Sequence, residues 1–390
     1  MDASQLLSLT MRGEDSTLQY KERFESADAV AAEICAFANS NGGTILVGIK
    51  DNGEIAGLSF EQVGRLNQLV SSACSQKIDP PVSVTTRNVT VQDTIVVCIQ
   101  VPMGANKFYM ANGRDIWVKI GADKRRARRE EITRLLQESG HLYADEMAVQ
   151  QTASSDLNRD ALEKFYERRT GRSLTDEGIP AERILENLKL MDNGSCTLAG
   201  LLLFGRRPER FKPNLPVKAV SFAGNDLAGV QYRDSRDITG SIEYLFAGAM
   251  AFLNNQLRRT QTTPNFNSIG TLEIPEVALE EAVLNALIHR NYLINSQIRL
   301  FVFDNRVEII SPGSLPNTAT VETVKLGIHI ERNPIIASLV KDIEPIPYRG
   351  VGTGISRILK ACLEAHVNVE FIDNKEAEQF TVVFTRRTIP

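Results

Sequence analysis

Residues 279–292 read LEEAVLNALIHRNY, and no other stretch constrains the chain as tightly. Glu281, Asn285 and His289 recur every fourth residue, so a helix places all three on one face. Leu279, Ala282, Val283, Leu284, Ala286, Leu287 and Ile288 are apolar, so most of that helix is expected to be buried. A carboxylate, an amide and an imidazole on a buried helix are costly unless something polar faces them. Two readings fit. One is a hydrogen-bonded polar seam in a core. The other is a nucleotide site, in which the carboxylate polarises water and the amide holds a metal ion.

Two further segments bear on that choice. SPGSLP at 311–316 follows a strand expected at 306–310. RGVGTGI at 349–355 runs into a helix expected at 355–366. Glycines at alternate positions let backbone N–H groups approach an anion, and the helix behind them adds a favourable dipole. No G-x-x-x-x-G-K-[ST] run occurs, which excludes a P-loop NTPase. The glycine loop follows helix and coil instead of a first strand, so the dinucleotide fingerprint fails as well.

Working outward, the 390 residues are enough for two or three domains, and 43% hydrophobic with 24% charged content is ordinary for a globular protein. The net charge of −4 means that any nucleic-acid role must come from local clusters. The five cysteines are scattered without C-x-x-C spacing, as expected of buried thiols in a reducing compartment. No signal peptide and no run long enough for a membrane span is read, so a cytoplasmic location is expected.

The first 140 residues alternate helix and strand. Helices are expected at 28–39, 60–74 and 129–139, and strands at 44–49, 82–89, 94–101 and 115–120, the middle two pairing antiparallel. A polar stretch at 144–157 reads as a linker. Beyond it, helices are expected at 159–169, 182–191, 242–257, 277–289, 335–340 and 355–366. Strands are expected at 217–223, 298–303, 306–310, 369–373 and 379–385. The whole is α+β and multidomain. Its expected parts are 1–142, a helical linker region at 143–195, and an α/β sandwich at 196–390 with its core at 270–390, helices covering one face of a mixed sheet.

The order of motifs in residues 195–390 resembles the GHKL ATPases, and most closely the divergent GHKL-like ATP-binding domain of bacterial proteins labelled transcriptional regulators. Glu281/Asn285/His289/Arg290/Tyr292, Ser311/Pro312/Gly313/Leu315/Pro316, Arg332/Asn333/Pro334 and Gly352/Gly354/Ile355 match that pattern. The resemblance implies that Asn285 holds Mg²⁺ against the phosphates of ATP and that Glu281, as the catalytic residue, orients the attacking water. His289, Ser311, Gly313, Arg349, Gly350, Gly352, Thr353 and Gly354 would complete the cofactor site. One departure matters: Ser311-Pro312-Gly313 stands where GHKL proteins carry the Asp that reads adenine. Hydrolysis, a weak ATPase activity at most, stays open on that account.

Residues 14–58 carry EDSTLQYK (14–21) and AFANSNGGTILVGIKDNG (36–53). They resemble the Schlafen AlbA-type domain, a nucleic-acid-binding module, and the resemblance runs to about residue 140. Glu14, Lys21 and Asp51 match the positions of a nuclease site, but Gln19 stands where nuclease members have a carboxylate. Loss of one carboxylate weakens metal binding, so nuclease activity is not expected. KRRARR at 124–129 gathers five cations, with Lys119 just before. A helix start that opens on cations opposes its own dipole, and a phosphate backbone would relieve that. Lys119, Lys124, Arg125, Arg126, Arg128 and Arg129 are therefore the expected nucleic-acid contacts, against the plainer reading of a solvated helix start. Trp117 and Tyr109 could stack on bases or belong to the core.

Together the resemblances imply an ATP-responsive regulator that binds DNA or RNA and acts as a homodimer or larger oligomer. The chain ends at Pro390, without the winged helix into which many relatives continue, so transcription control is an analogy from the family. Two alternatives remain: a Schlafen-type nuclease effector of the phage-defence kind, and a nucleotide-sensing interaction protein with no nucleic-acid role.

Overall fold

A computed structural model describes residues 2–91, 93–175, 178–228, 231–260, 270–316, 319–328, 330–350 and 352–386. The chain divides into two compact units, Met1–Leu142 and Tyr143–Pro390.

The first unit opens with α1 (Ala3–Arg12), capped by a reciprocal Asp2–Gln5 box that the sequence reading overlooked. β1 (Leu18–Lys21) follows, then α2 (Ala27–Ala38), β2 (Gly43–Val47), α3 (Phe60–Ser72), β3 (Thr85–Val91) and β4 (Thr94–Val101). β5 (Trp117–Ile120), β6 (Asp123–Arg126) and α4 (Arg129–Glu138) complete the unit. Four strands form one sheet in the order β1-β2-β4-β3. β1 lies parallel to β2, and the other neighbours are antiparallel. Ser26 and Ser59 cap α2 and α3. Every residue of α2 from Val30 to Ala38 is buried, which makes it the central helix of the unit. Asn39, at its end, donates to the carbonyls of Tyr109 (2.8 Å) and Trp117 (2.9 Å) and accepts from Tyr109 N (2.7 Å). The asparagine of AFAN is therefore a clasp for the segment leading into the β5–β6 hairpin.

The second unit comprises α5 (Arg159–Thr170), α6 (Ala181–Asn187), α7 (Leu198–Phe204), β7 (Val217–Phe222), β8 (Tyr232–Ile238), α8 (Ile242–Gln256) and α9 (Glu276–His289). It continues with β9 (Ile298–Val302), β10 (Arg306–Pro312), α10 (Val321–Lys325), α11 (Pro334–Val340), α12 (Gly354–Glu364), β11 (Val369–Asn374) and β12 (Gln379–Thr385). Six strands form a mixed sheet in the order β8-β7-β9-β10-β12-β11. Only β7 and β9 run parallel. Strand alternation separates two faces. Ala219, Leu300, Val302, Ile309, Val382 and Phe384 join the large core with α7, α8, α9 and α12. Val220, Phe222, Phe301, Phe303 and Ile310 form a small aromatic cluster of their own.

One expectation needs correction, and one strand lies outside the expected set. The stretch at 144–157 is folded into this unit, with Ala144, Val149 and Leu157 buried in its core. Its few apolar residues follow no helical or strand period, so pattern reading missed them. The strand β8 was not expected either, because YRDSRDI lacks the apolar alternation of a half-buried strand.

Candidate functional site

α9 packs against α12, and the face of α9 that the four-residue spacing singled out lines a pocket. Glu281, Asn285 and His289 border it from α9, Ser311 from the end of β10, and Arg349, Gly350, Gly352, Thr353 and Gly354 from the loop entering α12. Val351, within that loop, lies outside the described residues. Ile309, Phe371, Phe380 and Val382 give the pocket an apolar floor from three neighbouring strands. The pocket holds about 1170 Å³ of empty space, open solvent at its mouth included.

Backbone conformation and close approach call for glycine at three positions of this loop. Gly350 and Gly352 hold positive φ angles of 67° and 72°, the left-handed region that glycine enters without strain. Gly354 lies so close to α9 that a Cβ there would sit 2.7 Å from Glu281 Oε2 and 3.3 Å from both side-chain heteroatoms of Asn285. The α12 N-terminus carries no side-chain cap, which leaves its first N–H groups facing outward for a ligand or solvent.

Glu281 is 5% exposed. Burial pushes its carboxyl above the usual range, and the fields of Arg357 and Arg349 oppose that. Arg357 Nη2 lies 2.5 Å from Glu281 Oε1, an ion pair between the first turn of α12 and the middle of α9. Burial, with Glu331 and Glu281 as neighbours, pushes the Tyr348 hydroxyl beside the pocket up to about 12. Ser311 is buried and donates its hydroxyl to the Ala286 carbonyl at 3.2 Å. A hydroxyl that donates once can still accept, and Ser311 borders the pocket.

The remaining motif residues close the end of α9. Asn333 is buried and donates to the carbonyls of Ile288 and Arg290, both at 2.8 Å. Arg332 reaches the carbonyls of His289 (3.2 Å) and Ser314 (2.8 Å), tying the SPG loop to the helix end. Gly313 lies against Asn291 and Arg332. Arg290 donates to Ser296 O (2.6 Å) and sits 4.8 Å from the Tyr292 ring centre, while Tyr292 Oη donates to Leu287 O (2.6 Å). A helix leaves its last carbonyls unsatisfied, and Asn333, Arg332 and Tyr292 supply donors there, while Arg290 ties down the loop that follows.

In the first unit, Glu14 accepts from Tyr20 N (2.7 Å) and from the Gln19 amide. Lys21 and Lys124 both approach buried Glu33, at 3.7 and 2.7 Å. Asp51 is exposed in the turn after β2. Among the described residues no group of three His, Cys, Asp or Glu side chains could hold a metal ion. Lys119, expected at a phosphate, is instead buried: its ammonium donates to Gln19 Oε1 and the Ala122 carbonyl. Burial holds its pKa below the usual value.

The basic run also differs from expectation. Residues 123–126 are a strand. Lys124 pairs with Glu33, Arg125 with Glu131 through two bonds of 2.7 and 2.8 Å, and Arg126 with Asp115 at 3.2 Å. Arg128 and Arg129 are exposed. Trp117 lies between Lys124 and Arg126, whose cationic groups are 5.7 and 5.8 Å from its ring centre. Tyr109 is buried in the core.

Residues 14–128 match the model of the family described as Schlafen, AlbA_2. The N-terminal domain is a Schlafen AlbA_2 domain. Residues 295–384 match the family described as "Putative ATP-dependent DNA helicase recG C-terminal", HATPase_c_4, so the AlbA_2 domain is joined to a HATPase-like one. That second match takes in Ser311 and the glycine loop but starts after α9. Residues 133–216 match a domain of unknown function, DUF8451. No curated protein matches the chain. Among solved structures, the DIP2311 protein from Corynebacterium diphtheriae is 20% identical with a TM-score of 0.47, covering 98% of this chain and 80% of its own. The N-terminal domain of a RecG-related protein from Nitrosomonas europaea is 21% identical with a TM-score of 0.22, covering 26% of this chain and 74% of its own.

Sequence reasoning missed Arg357 in the HATPase-like domain and Glu33 in the AlbA_2 domain. Arg357 carries a faint signal, one helical turn after Gly354. Glu33 carries the signal of a lone carboxylate on the buried part of α2, but the cations it meets, Lys21 and Lys124, are set by the fold.

Proposed function

We propose that the chain is a nucleic-acid-associated regulator governed by ATP. The C-terminal domain binds ATP with Mg²⁺ between α9 and the α12 glycine loop, and the AlbA_2 domain engages DNA or RNA. One observation carries the nucleotide reading: Glu281 and Asn285 face an uncapped helix N-terminus at the distance of Gly354. Uncapped N–H groups behind glycines are donors for phosphate. The apolar floor of Ile309, Phe371, Phe380 and Val382 suits a base, and the Ser311 oxygen can accept from its amino group.

The residues fit a magnesium nucleotide. Asn285 offers a hard amide oxygen, and the phosphates would supply the negative charge that the protein does not. Magnesium bound there would neutralise phosphate charge. Glu281 is ion-paired to Arg357, so binding, with turnover secondary, is the activity proposed. Arg128 and Arg129 are the cations best placed for a nucleic-acid backbone, since Lys119 is buried and Lys124, Arg125 and Arg126 already have carboxylate partners. That same neutralisation favours a second reading, a nucleotide-sensing interaction protein without a nucleic-acid role.

Titration calorimetry with ATP·Mg²⁺ tests the nucleotide claim. Wild type should give a binding isotherm that Asn285→Ala weakens at least about tenfold, a loss of roughly 1.4 kcal/mol. Two identical flat traces would remove it. Mobility shift of labelled DNA and RNA at low salt separates the two readings.

A further inference from the structure

β8 is one of the two edge strands of the six-stranded sheet, bonded to β7 on one side and, among the described residues, to no strand on the other. Tyr232, Arg233, Ser235, Arg236 and Asp237 are exposed. An open edge presents a row of backbone donors and acceptors to any strand of matching register.

The charges of YRDSRDI form a palindrome of opposites about Ser235. When two copies meet antiparallel with Ser235 facing Ser235, Arg233 faces Asp237 and Asp234 faces Arg236. Two-fold symmetry repeats both pairs. Opposite charges directly across a pair of strands are favourable, and like charges are unfavourable. The neighbouring registers fail on that rule. Pairing Asp234 with Ser235 sets Arg233 against Arg236. Pairing Ser235 with Arg236 sets Asp234 against Asp237. Centring on Asp234 or Arg236 sets that residue against its own copy, and in-register parallel pairing does so for every charge. The alternation of a strand puts Asp234 and Arg236 on one sheet face, and their pairs carry the register, because the ladder to β7 is irregular at Arg233, between Asp234 opposite Ser221 and Tyr232 opposite Phe222.

Edge charges often guard a strand against pairing, and they do so by repelling an approaching edge. This pattern repels a copy of itself in the adjacent registers and sets all four of its charges against opposites in one, which favours that register. The partners these side chains already have extend into networks. Arg236 lies 2.9 Å from Asp234, and Lys218 3.1 Å from Asp237. Arg233 pairs with Asp304.

We propose that β8 is a self-association edge. Two copies of the chain join through antiparallel β8–β8 pairing centred on Ser235, making their sheets continuous across an isologous two-fold contact.

The full chain is tested by sedimentation over a concentration series. Wild type should form dimers. Arg236→Asp leaves only aspartates at 234 and 236, and Asp234→Arg leaves only arginines, so each variant alone should associate at least about tenfold more weakly. Mixed in equal amounts, the two should dimerise with one another, because every 234–236 contact is then opposite in charge. The swapped variant Asp234→Arg/Arg236→Asp should dimerise like wild type. A monomeric wild type, an Arg236→Asp variant that dimerises unchanged, or folded single variants that stay monomeric when mixed would overturn the proposal. Amide exchange needs no variant: protection of residues 232–238 should rise with concentration, and dimerisation without that protection would also overturn it.

Discussion

Arg357 controls the electrostatics of the pocket at the scale of single residues. Its guanidinium is the direct partner of a carboxylate that is almost wholly buried. Removing one partner of a buried pair strands the other, but Arg357 is about a third exposed, so the effect is discounted for solvent screening. Arg357→Ala should cost about 1–2 kcal/mol at pH 8. The sign of its pH dependence follows from Glu281. Burial raises that carboxyl in the folded state, and losing Arg357 raises it further. A raised carboxyl destabilises when ionised, so the cost of the substitution should shrink as pH falls and Glu281 takes up a proton. Urea unfolding at pH 5 and pH 8 checks this, and an equal loss at both would sink it. The face carrying Glu281, Asn285 and His289 was legible because its spacing is local. The partner of Glu281 was not, because it depends on how α9 and α12 meet. Lys119 makes the same point. In sequence it is one more cation beside a basic run, and only the fold buries its ammonium on Gln19.

At the scale of elements, the helix ends are where remote parts of the second unit are joined. α11 has no side-chain cap of its own. Asp145, about 190 residues earlier, accepts from Ile335 N (2.8 Å) and Ile336 N (3.0 Å). It is fully buried, with one oxygen lacking a partner, and burial raises its carboxyl to about 6. The folded state therefore holds this proton more tightly than the unfolded chain. Its contribution favours folding below about pH 4 and is lost progressively as pH rises to about 6. Asp145→Asn keeps an oxygen acceptor without the charge, so it should flatten that part of the stability profile by up to roughly 2–3 kcal/mol. A urea-midpoint series over pH 4–8 with an unchanged slope would refute the assignment. Asn333 works in the same way on α9, and Asn333→Ala should cost about 2 kcal/mol through two lost bonds. Most elements were legible, since helical and strand periods lie in short windows. β8 and the 144–157 segment were not. A charged edge strand has no apolar alternation, and Asp145 looks like any surface acid until its helix is known.

For the whole molecule, the consequences are of binding and charge. If the AlbA_2 domain engages a nucleic-acid backbone, affinity should fall linearly with log salt. Replacing both Arg128 and Arg129 by alanine should then reduce that slope by about two. Fluorescence anisotropy at several salt concentrations gives the slope. An unchanged slope would move the contact elsewhere, and no binding even at low salt would favour the purely nucleotide-sensing reading. By itself, the sequence determined most of the elements and the order of the helix and the two glycine loops. These rest on periodicity, turn chemistry and backbone freedom, all set by residues near one another in the chain. Only the tertiary structure decided which charges are spent. It joined Lys124 to Glu33, Glu281 to Arg357 and Asp145 to the start of α11, and it turned the Ser311 hydroxyl onto α9. The physical reason is that desolvation and partnership belong to neighbours in space, and a charge has no fixed role until the fold has chosen those neighbours.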